Sequence, residues 1–279
     1  MNLSQEEIVQ KYPHKPLKEQ VALVTGANSG IGEAIARHMS AAGAFVGVNY
    51  LFEQEKAEKI AREIQKFGGK AIVLYGDVTL EHQVEAMFKK MITAFERVDI
   101  LVNNAGIQSD ALSEEMTLQE WEEVIKINLT GQFLCAREAI KVFKKKGVIP
   151  EISKAAGKII HISSVHQEIP WSGHINYAAS KGGIRQMMRT LAQEEAPEKI
   201  RVNSIAPGAI QTPINQKTWE DPEAMKRLLR MIPAQRIGTS DEIAQSSVWL
   251  ASDEADYVVG VTLVVDGGIS LHNHFSRGG

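Results

Sequence analysis

Ser164, Tyr177 and Lys181 stand in an order and spacing that could move a proton: the tyrosine follows the serine by thirteen residues and precedes the lysine by four. At the second spacing both side chains project from one face of a helix. A phenol with a pKa near 10 is a poor base at neutral pH, and lowering it by about three units takes about 4 kcal/mol of preferential stabilisation of the phenolate. An ammonium group close by, in a site sheltered from water, is suited to supply it. Ser164, at the end of an apolar strand, would hydrogen-bond the substrate oxygen as the proton moves. A Tyr-x-x-x-Lys pair also arises by chance on many helices, so its meaning depends on its surroundings.

The first of these surroundings is a glycine-rich turn, Thr25-Gly26-Ala27-Asn28-Ser29-Gly30-Ile31-Gly32, between an apolar run and an amphipathic stretch. Gly26 suits a turn with positive φ, Gly30 a close approach of backbone to pyrophosphate, and Gly32 tight packing of helix on strand. Asn28, Ser29 and Ile31 complete a loop whose helix amides and dipole would face the phosphates. The spacing is Gly-x-x-x-Gly-x-Gly rather than the common Gly-x-Gly-x-x-Gly, and a purely structural turn is the alternative reading. About twenty residues on, an acid would bind the ribose of NAD, or an arginine the phosphate of NADP. The chain has Asn49-Tyr50-Leu51-Phe52-Glu53 there. Tyr50 would border the ribose, while Glu53 reads equally well as a first-turn helix acid. The expected cofactor is NAD or NADP, with no preference assigned.

Short β-branched runs alternate with longer amphipathic stretches from residue 21 onward, as parallel strands and crossover helices do. Strands are predicted at Val21–Thr25, Phe45–Tyr50, Ala71–Tyr75, Ile100–Asn103, Lys158–Ser163, Arg201–Ser204 and Thr262–Val265. Helices are predicted at Ile31–Ala42, Glu53–Phe67, Gln83–Phe95, Trp121–Phe143, Tyr177–Ala196 and Asp241–Ala251. No Pro/Gly/Ser-rich linker interrupts them. The expected fold is therefore α/β: a single-domain Rossmann-type doubly wound parallel sheet of about seven strands flanked by helices. Residues 1–19 read as an arm kept extended by Pro13 and Pro16, residues 20–279 as the domain, and residues 207–232 as a substrate loop.

The 279 residues carry 31 basic and 34 acidic side chains, net -3, which offers neither a nucleic-acid footprint nor a polybasic membrane patch. No window approaches a membrane span, the leading residues lack a signal-type apolar stretch, and the expected location is cytoplasmic. The single cysteine, Cys135, excludes an internal disulfide and reads as a buried apolar residue. Lys144, Lys145 and Lys146 read as a solvated face at a helix end. His272 and His274 lack acidic or cysteine neighbours, so no metal site is expected.

Taken together, Thr25-Gly26-x-x-x-Gly30-x-Gly32, Asn103-Asn104-Ala105-Gly106, Asn128, Ser164, Tyr177-x-x-x-Lys181 and Pro207-Gly208 resemble the short-chain dehydrogenases/reductases over residues 17–270. The resemblance implies a nicotinamide-dependent oxidoreductase acting on an alcohol or carbonyl carbon, and a homotetramer. It implies that Asp77 and Val78 meet the adenine, that Asn104, Ala105 and Gly106 border the cofactor, and that Lys181 also holds the nicotinamide ribose. It gives Asn128 a water relay to Lys181, and it places Pro207, Gly208, Ile210 and Thr212 against the nicotinamide.

Within that family the stretches around Ser163-Ser164-Val165-His166, Ile169-Pro170-Trp171 and Pro207–Asn215 are similar to those of bacterial glucose 1-dehydrogenases. That likeness implies a small-molecule sugar substrate, with His166 hydrogen-bonding hydroxyls and the indole face of Trp171 meeting ring C–H groups. Gln108 stands where that group tends to carry glutamate, and an amide both donates and accepts. Residues 147–156 and Ser172-Gly173-His174-Ile175 are expected to border the cleft, with His174 read as a surface side chain or a substrate contact. A ketone or 3-oxoacyl carrier-protein reductase is the alternative enzyme. A dinucleotide-binding protein without turnover is disfavoured by the intact Asn128, Ser164, Tyr177 and Lys181.

Overall fold

A computed structural model describes residues 3–213 and 221–271. Seven parallel strands form one sheet in the order β3-β2-β1-β4-β5-β6-β7: β1 Val21–Val24, β2 Phe45–Tyr50, β3 Lys70–Tyr75, β4 Ile100–Asn103, β5 Gly157–Ile162, β6 Ile200–Pro207 and β7 Thr262–Val265. All seven predicted strands are present. The chain order reverses between β1 and β4, so both halves of the sheet open a crevice at its carboxyl edge.

Burial on both faces explains why the strands read as continuous apolar runs. Ala22 and Val24 of β1, with Val46 and Val48 of β2, pack against Ile35 and Met39 of α2 (Gly30–Ala41), Ile60 and Ile64 of α3 (Gln54–Lys66) and Ile243 and Val248 of a late helix. The alternate residues Val21, Leu23, Leu101, Ile159 and Val202 face Met87, Phe88 and Met91 of α4 (Glu81–Phe95), Phe143 of α6 (Gly131–Lys146) and Met188 of α7 (Ile175–Glu195). The late helices are α8 (Pro222–Met231) and α9 (Ser240–Ala251). The first falls within the substrate loop, where the sequence pattern predicts no helix. No described helix is long and apolar enough to cross a membrane.

The leading segment departs from its expected extended form. Gln5–Gln10 forms α1, started by a capping box between Ser4 and Glu7, and Pro13 and Pro16 follow the helix instead of preventing it. Ile8 and Leu17 are fully buried, the Leu3 amide donates to Asp241 at 2.8 Å, and the Tyr12 hydroxyl lies 2.8 Å from His38 Nδ1. The predicted Trp121–Phe143 helix also differs. It begins earlier, as α5 (Leu118–Ile125) behind a Thr117–Glu120 capping box, passes through a π-helical turn at Lys126–Thr130, and continues as α6 to Lys146. A π turn inside a helix often marks a functional position, and this one contains Asn128.

Residues 147–156 do not border the cleft. They enter β5 at the amino edge of the sheet, where the Ala156 amide donates to the Lys199 carbonyl and Ser153 Oγ donates to Asp253 at 2.6 Å. Parallel topology puts that edge opposite the crevice. The lysines at the end of α6 are not uniformly solvated either: Lys144 pairs with Glu195 at 2.8 Å, and Lys146 reaches the buried carboxylate of Asp99.

Lys158 is enclosed at the same edge, donating to Gln20 Oε1 at 2.7 Å and to Ser153, and burial pulls its ammonium down to about 8. The folded protein therefore releases this proton near pH 8, whereas the unfolded chain keeps it to the ordinary value of 10.5. Between those limits the unfolded chain binds more protons, so this group's contribution to stability rises with pH. Comparing wild type with Lys158→Met in denaturant titrations, we expect the difference to move towards wild type by about 3 kcal/mol from pH 8 to 10.5. A difference independent of pH would show that the lysine titrates normally.

Candidate active site

The glycine turn leads from β1 into α2. Gly26 and Gly30 both have left-handed backbone, φ 58° and 55°, and Gly32 lies where an added Cβ would fall 2.2 Å from the Gly26 carbonyl oxygen and 2.4 Å from Asn104 Nδ2. Its role is the close packing expected of the third glycine. Ser29 caps α2 without a side-chain hydrogen bond, so the first-turn amides are left for an anion. Above Gly30 lie Pro213 and Thr212, 3.6 and 3.7 Å from an added Cβ, so this loop packs directly over the turn. These features fit a dinucleotide diphosphate.

Several polar residues around this turn shape it instead of pointing outward. Asn104 Nδ2 donates to the Thr25 and Gly26 carbonyls at 2.9 and 3.0 Å, and Thr25 Oγ1 accepts from the Asn104 and Ala105 amides. Asn49 Oδ1 accepts the Gly26 amide at 3.0 Å, while its amide donates to the Leu74 and Gly76 carbonyls. Asn28 Nδ2 donates to the Phe52 carbonyl at 2.9 Å, tying the turn to the end of β2. Tyr50 is buried there beside Tyr75, and Glu53 takes left-handed backbone before α3 with Lys56 at 2.6 Å. The carboxylate of Asp77 accepts the Thr79 amide, and Val78 is buried against Gly131. Gly208 follows β6 and donates its amide to Val265; Ile210 is buried, bridged to Gly238. Residues 214–220 of the expected substrate loop, and the tail with His272 and His274, lie outside the described residues.

At the carboxyl edge of β5 and the head of α7 the structure brings Ser164, Tyr177 and Gln108 together. The side chains of Ser164 and Gln108 stand beside the Tyr177 phenol. These two contacts favour phenolate, but burial outweighs them and pushes the phenol above its ordinary value of 10. Lys181 is buried one turn on, its Nζ 5.3 Å from the centre of the Tyr177 ring and donating to the Ile162 carbonyl at 3.0 Å. Burial brings its ammonium down to about 8. The lysine's placement is as expected, while the lowered phenol is not seen in the protein alone, because at this distance desolvation dominates.

Asn128 reaches the site from the π turn, with its side chain already committed. Oδ1 accepts the Ile107 amide at 2.8 Å, and Nδ2 donates to the Ile107 carbonyl at 3.0 Å and to Ser180 Oγ at 3.2 Å. The side chain thus fixes the loop carrying Gln108, and a water relay would have to use its backbone. Asn176, which sequence reasoning does not single out, braces the same loop from the other side, with Nδ2 donating to the Ser109 and Glu120 carbonyls at 2.9 and 3.2 Å. Its position just before Tyr177 is the one sequence signal that could have found it.

The cleft wall differs from its expected form. His174 lies parallel to the Trp171 indole, centroids 3.5 Å apart at 6°, and His166 lies 4.2 Å away at 21°. Two imidazoles so near one centroid cannot share a face, so they sandwich the indole. The face expected to meet a sugar ring is covered, and only edges of Trp171 remain. His166 Nδ1 lies 3.1 Å from the Ile169 carbonyl, which can only accept, so Nδ1 carries the proton and Nε2 the lone pair. Burial pulls His166 below its ordinary value of 6.5, which favours that neutral form.

A family model described as enoyl-(acyl carrier protein) reductase matches residues 26–270. The chain is 43% identical over 262 residues to 3beta-hydroxysteroid dehydrogenase 1 of Eggerthella lenta, covering 94% of this chain and 98% of that protein. The chain belongs to the short-chain dehydrogenase/reductase family. It is also 39% identical over 260 residues to glucose 1-dehydrogenase 2 of Bacillus subtilis, covering 93% and 98%. A similar solved structure is a gluconate 5-dehydrogenase from Burkholderia cenocepacia in complex with NADP and tartrate, at TM-score 0.84 and 34% identity, covering 91% of this chain and 96% of that one. The chain is thus an NAD(P)-dependent oxidoreductase of hydroxyl or carbonyl substrates.

Proposed function

We propose that this oxidoreductase acts on a secondary alcohol of a polyhydroxylated ring, a sugar such as glucose, with Tyr177 as acid/base. The contact of Gln108 with Tyr177 carries the reading, because it puts an amide that can donate and accept beside the reacting hydroxyl. His166 Nε2 adds an acceptor on the opposite wall. Ser164 would hold the substrate oxygen, Tyr177 would take its proton during oxidation, and Lys181 would support the phenolate and hold the ribose. When bound, the nicotinamide supplies the hydride acceptor. The name of the Bacillus subtilis relative supports the sugar assignment. For assembly we propose a homotetramer using the edge of the sheet, where Tyr257, Val259, Val261 and Val264 are exposed.

A bulkier apolar alcohol or ketone is the second reading. It is favoured by an open, mainly apolar hollow of about 410 Å³ lined by Met116, Leu118, Trp121 and Ile175 with Ser113 and Thr117, and by the name of the Eggerthella lenta relative. A single panel decides: NAD and NADP each against glucose, related sugars, polyols, a 3-hydroxysteroid and oxoacyl thioesters, read by nicotinamide absorbance. Sugar oxidation with no thioester turnover is expected. Exclusive turnover of the steroid or thioester would overturn the sugar assignment.

A further inference from the structure

His174 has two ring nitrogens facing two acceptors. Nδ1 lies 2.9 Å from the Ser172 carbonyl oxygen, and Nε2 lies 3.1 Å from Asp110 Oδ1. Neither a carbonyl nor a carboxylate has a proton to give, so a neutral imidazole, with one N–H, can satisfy only one of them. Both contacts are made together only by the imidazolium. That ring is also the one lying flat on Trp171, which in turn supports His166.

The same residues join the two walls of the cleft. Asp110 belongs to the loop after β4 that carries Gln108, and His174 to the loop that runs into α7. Two other ties cross beside them: the Ala111 amide donates to the Gly173 carbonyl at 3.0 Å, and Asn176 donates to the Ser109 carbonyl. Those two are made by amides and carbonyls, whereas the His174–Asp110 tie joins two ionisable side chains.

We propose that His174 is a positioning residue of the substrate cleft: held by Asp110 and the Ser172 carbonyl, it braces Trp171 and His166 against the Gln108 loop. The charged and titratable groups facing it are Asp110 from the loop after β4, His166 across the indole, and Tyr177, whose ring is 6.3 Å from Trp171 at the head of α7. This role rests on the cleft assignment made above, but it can be read without any substrate.

An imidazolium stacked on an indole quenches its fluorescence. The test is the emission and the acrylamide access of Trp171 in the full-length protein at neutral pH, each taken as the protein minus its Trp171→Phe counterpart. We expect both to rise in Asp110→Asn, which keeps the shape and removes the charge, and in His174→Ala, which removes the stacked ring. With the alcohol that the substrate panel identifies, KM in Asp110→Asn should rise about fivefold, more than kcat falls. Emission and access unchanged in both variants, or an unchanged KM in Asp110→Asn, would overturn the proposal. Failure to oxidise sugars with both fluorescence changes present would refute the substrate reading alone.

Discussion

Tyr177→Phe is expected to bind NAD or NADP as wild type does and to turn over slower by about 10³-fold, the range for loss of a positioned acid/base. The substitution removes one oxygen from a half-buried ring that stands between His166 and Lys181, so the stacking contacts and the fold are kept. It removes the hydroxyl that Ser164 and Gln108 flank, the group proposed to exchange the substrate proton. Because burial holds the phenol above its ordinary value of 10, alcohol oxidation by the free enzyme should climb with pH, and carbonyl reduction should be favoured as pH falls. Calorimetric titration of the dinucleotide beside steady-state rates separates the two effects. Near-normal turnover in the variant would sink the assignment.

Gly32→Ala has the second large effect, on the cofactor rather than on the chemistry. Its Cβ would lie 2.2 Å from the Gly26 carbonyl oxygen and 2.4 Å from Asn104 Nδ2, neither of which can yield easily, since Asn104 is tied to Thr25 as well as to Gly26. The turn must open, and the α2 amides move away from the position that an anion would occupy. Dinucleotide affinity should fall by more than about tenfold, with stability lower by about 1–3 kcal/mol as for other overpacked sites. A variant with unchanged cofactor affinity and melting temperature would show that the turn is looser than its contacts indicate.

Most of the sheet was legible because parallel strands buried on both faces write themselves as short apolar runs, as at Val21–Val24 and Ile100–Asn103. What escaped depended on contacts remote in sequence. The α1 helix is too short to show an amphipathic period and is held by Asp241 and His38, more than two hundred residues and two dozen residues away along the chain. The amino-edge position of residues 147–156 follows from topology rather than composition. In the site, the order Ser164, Tyr177, Lys181 pointed to candidate reacting groups, but not to the pairing of His174 with Asp110 or the covering of both faces of Trp171. Those depend on how two loops meet. For the same reason Asn128 could be named as a site residue while the commitment of its amide to Ile107 and Ser180 could not.

The central claim is that this chain moves a hydride between an alcohol carbon and a nicotinamide with Tyr177 handling the proton. Its most direct test is isotope transfer. Glucose carrying deuterium at its anomeric carbon, incubated with the protein and either oxidised dinucleotide, should yield reduced cofactor bearing the label by mass spectrometry, and Tyr177→Phe should yield almost none in the same time. Labelled cofactor formed equally by both proteins, or none formed by wild type from any deuterated alcohol of the panel despite bound dinucleotide, would contradict the account.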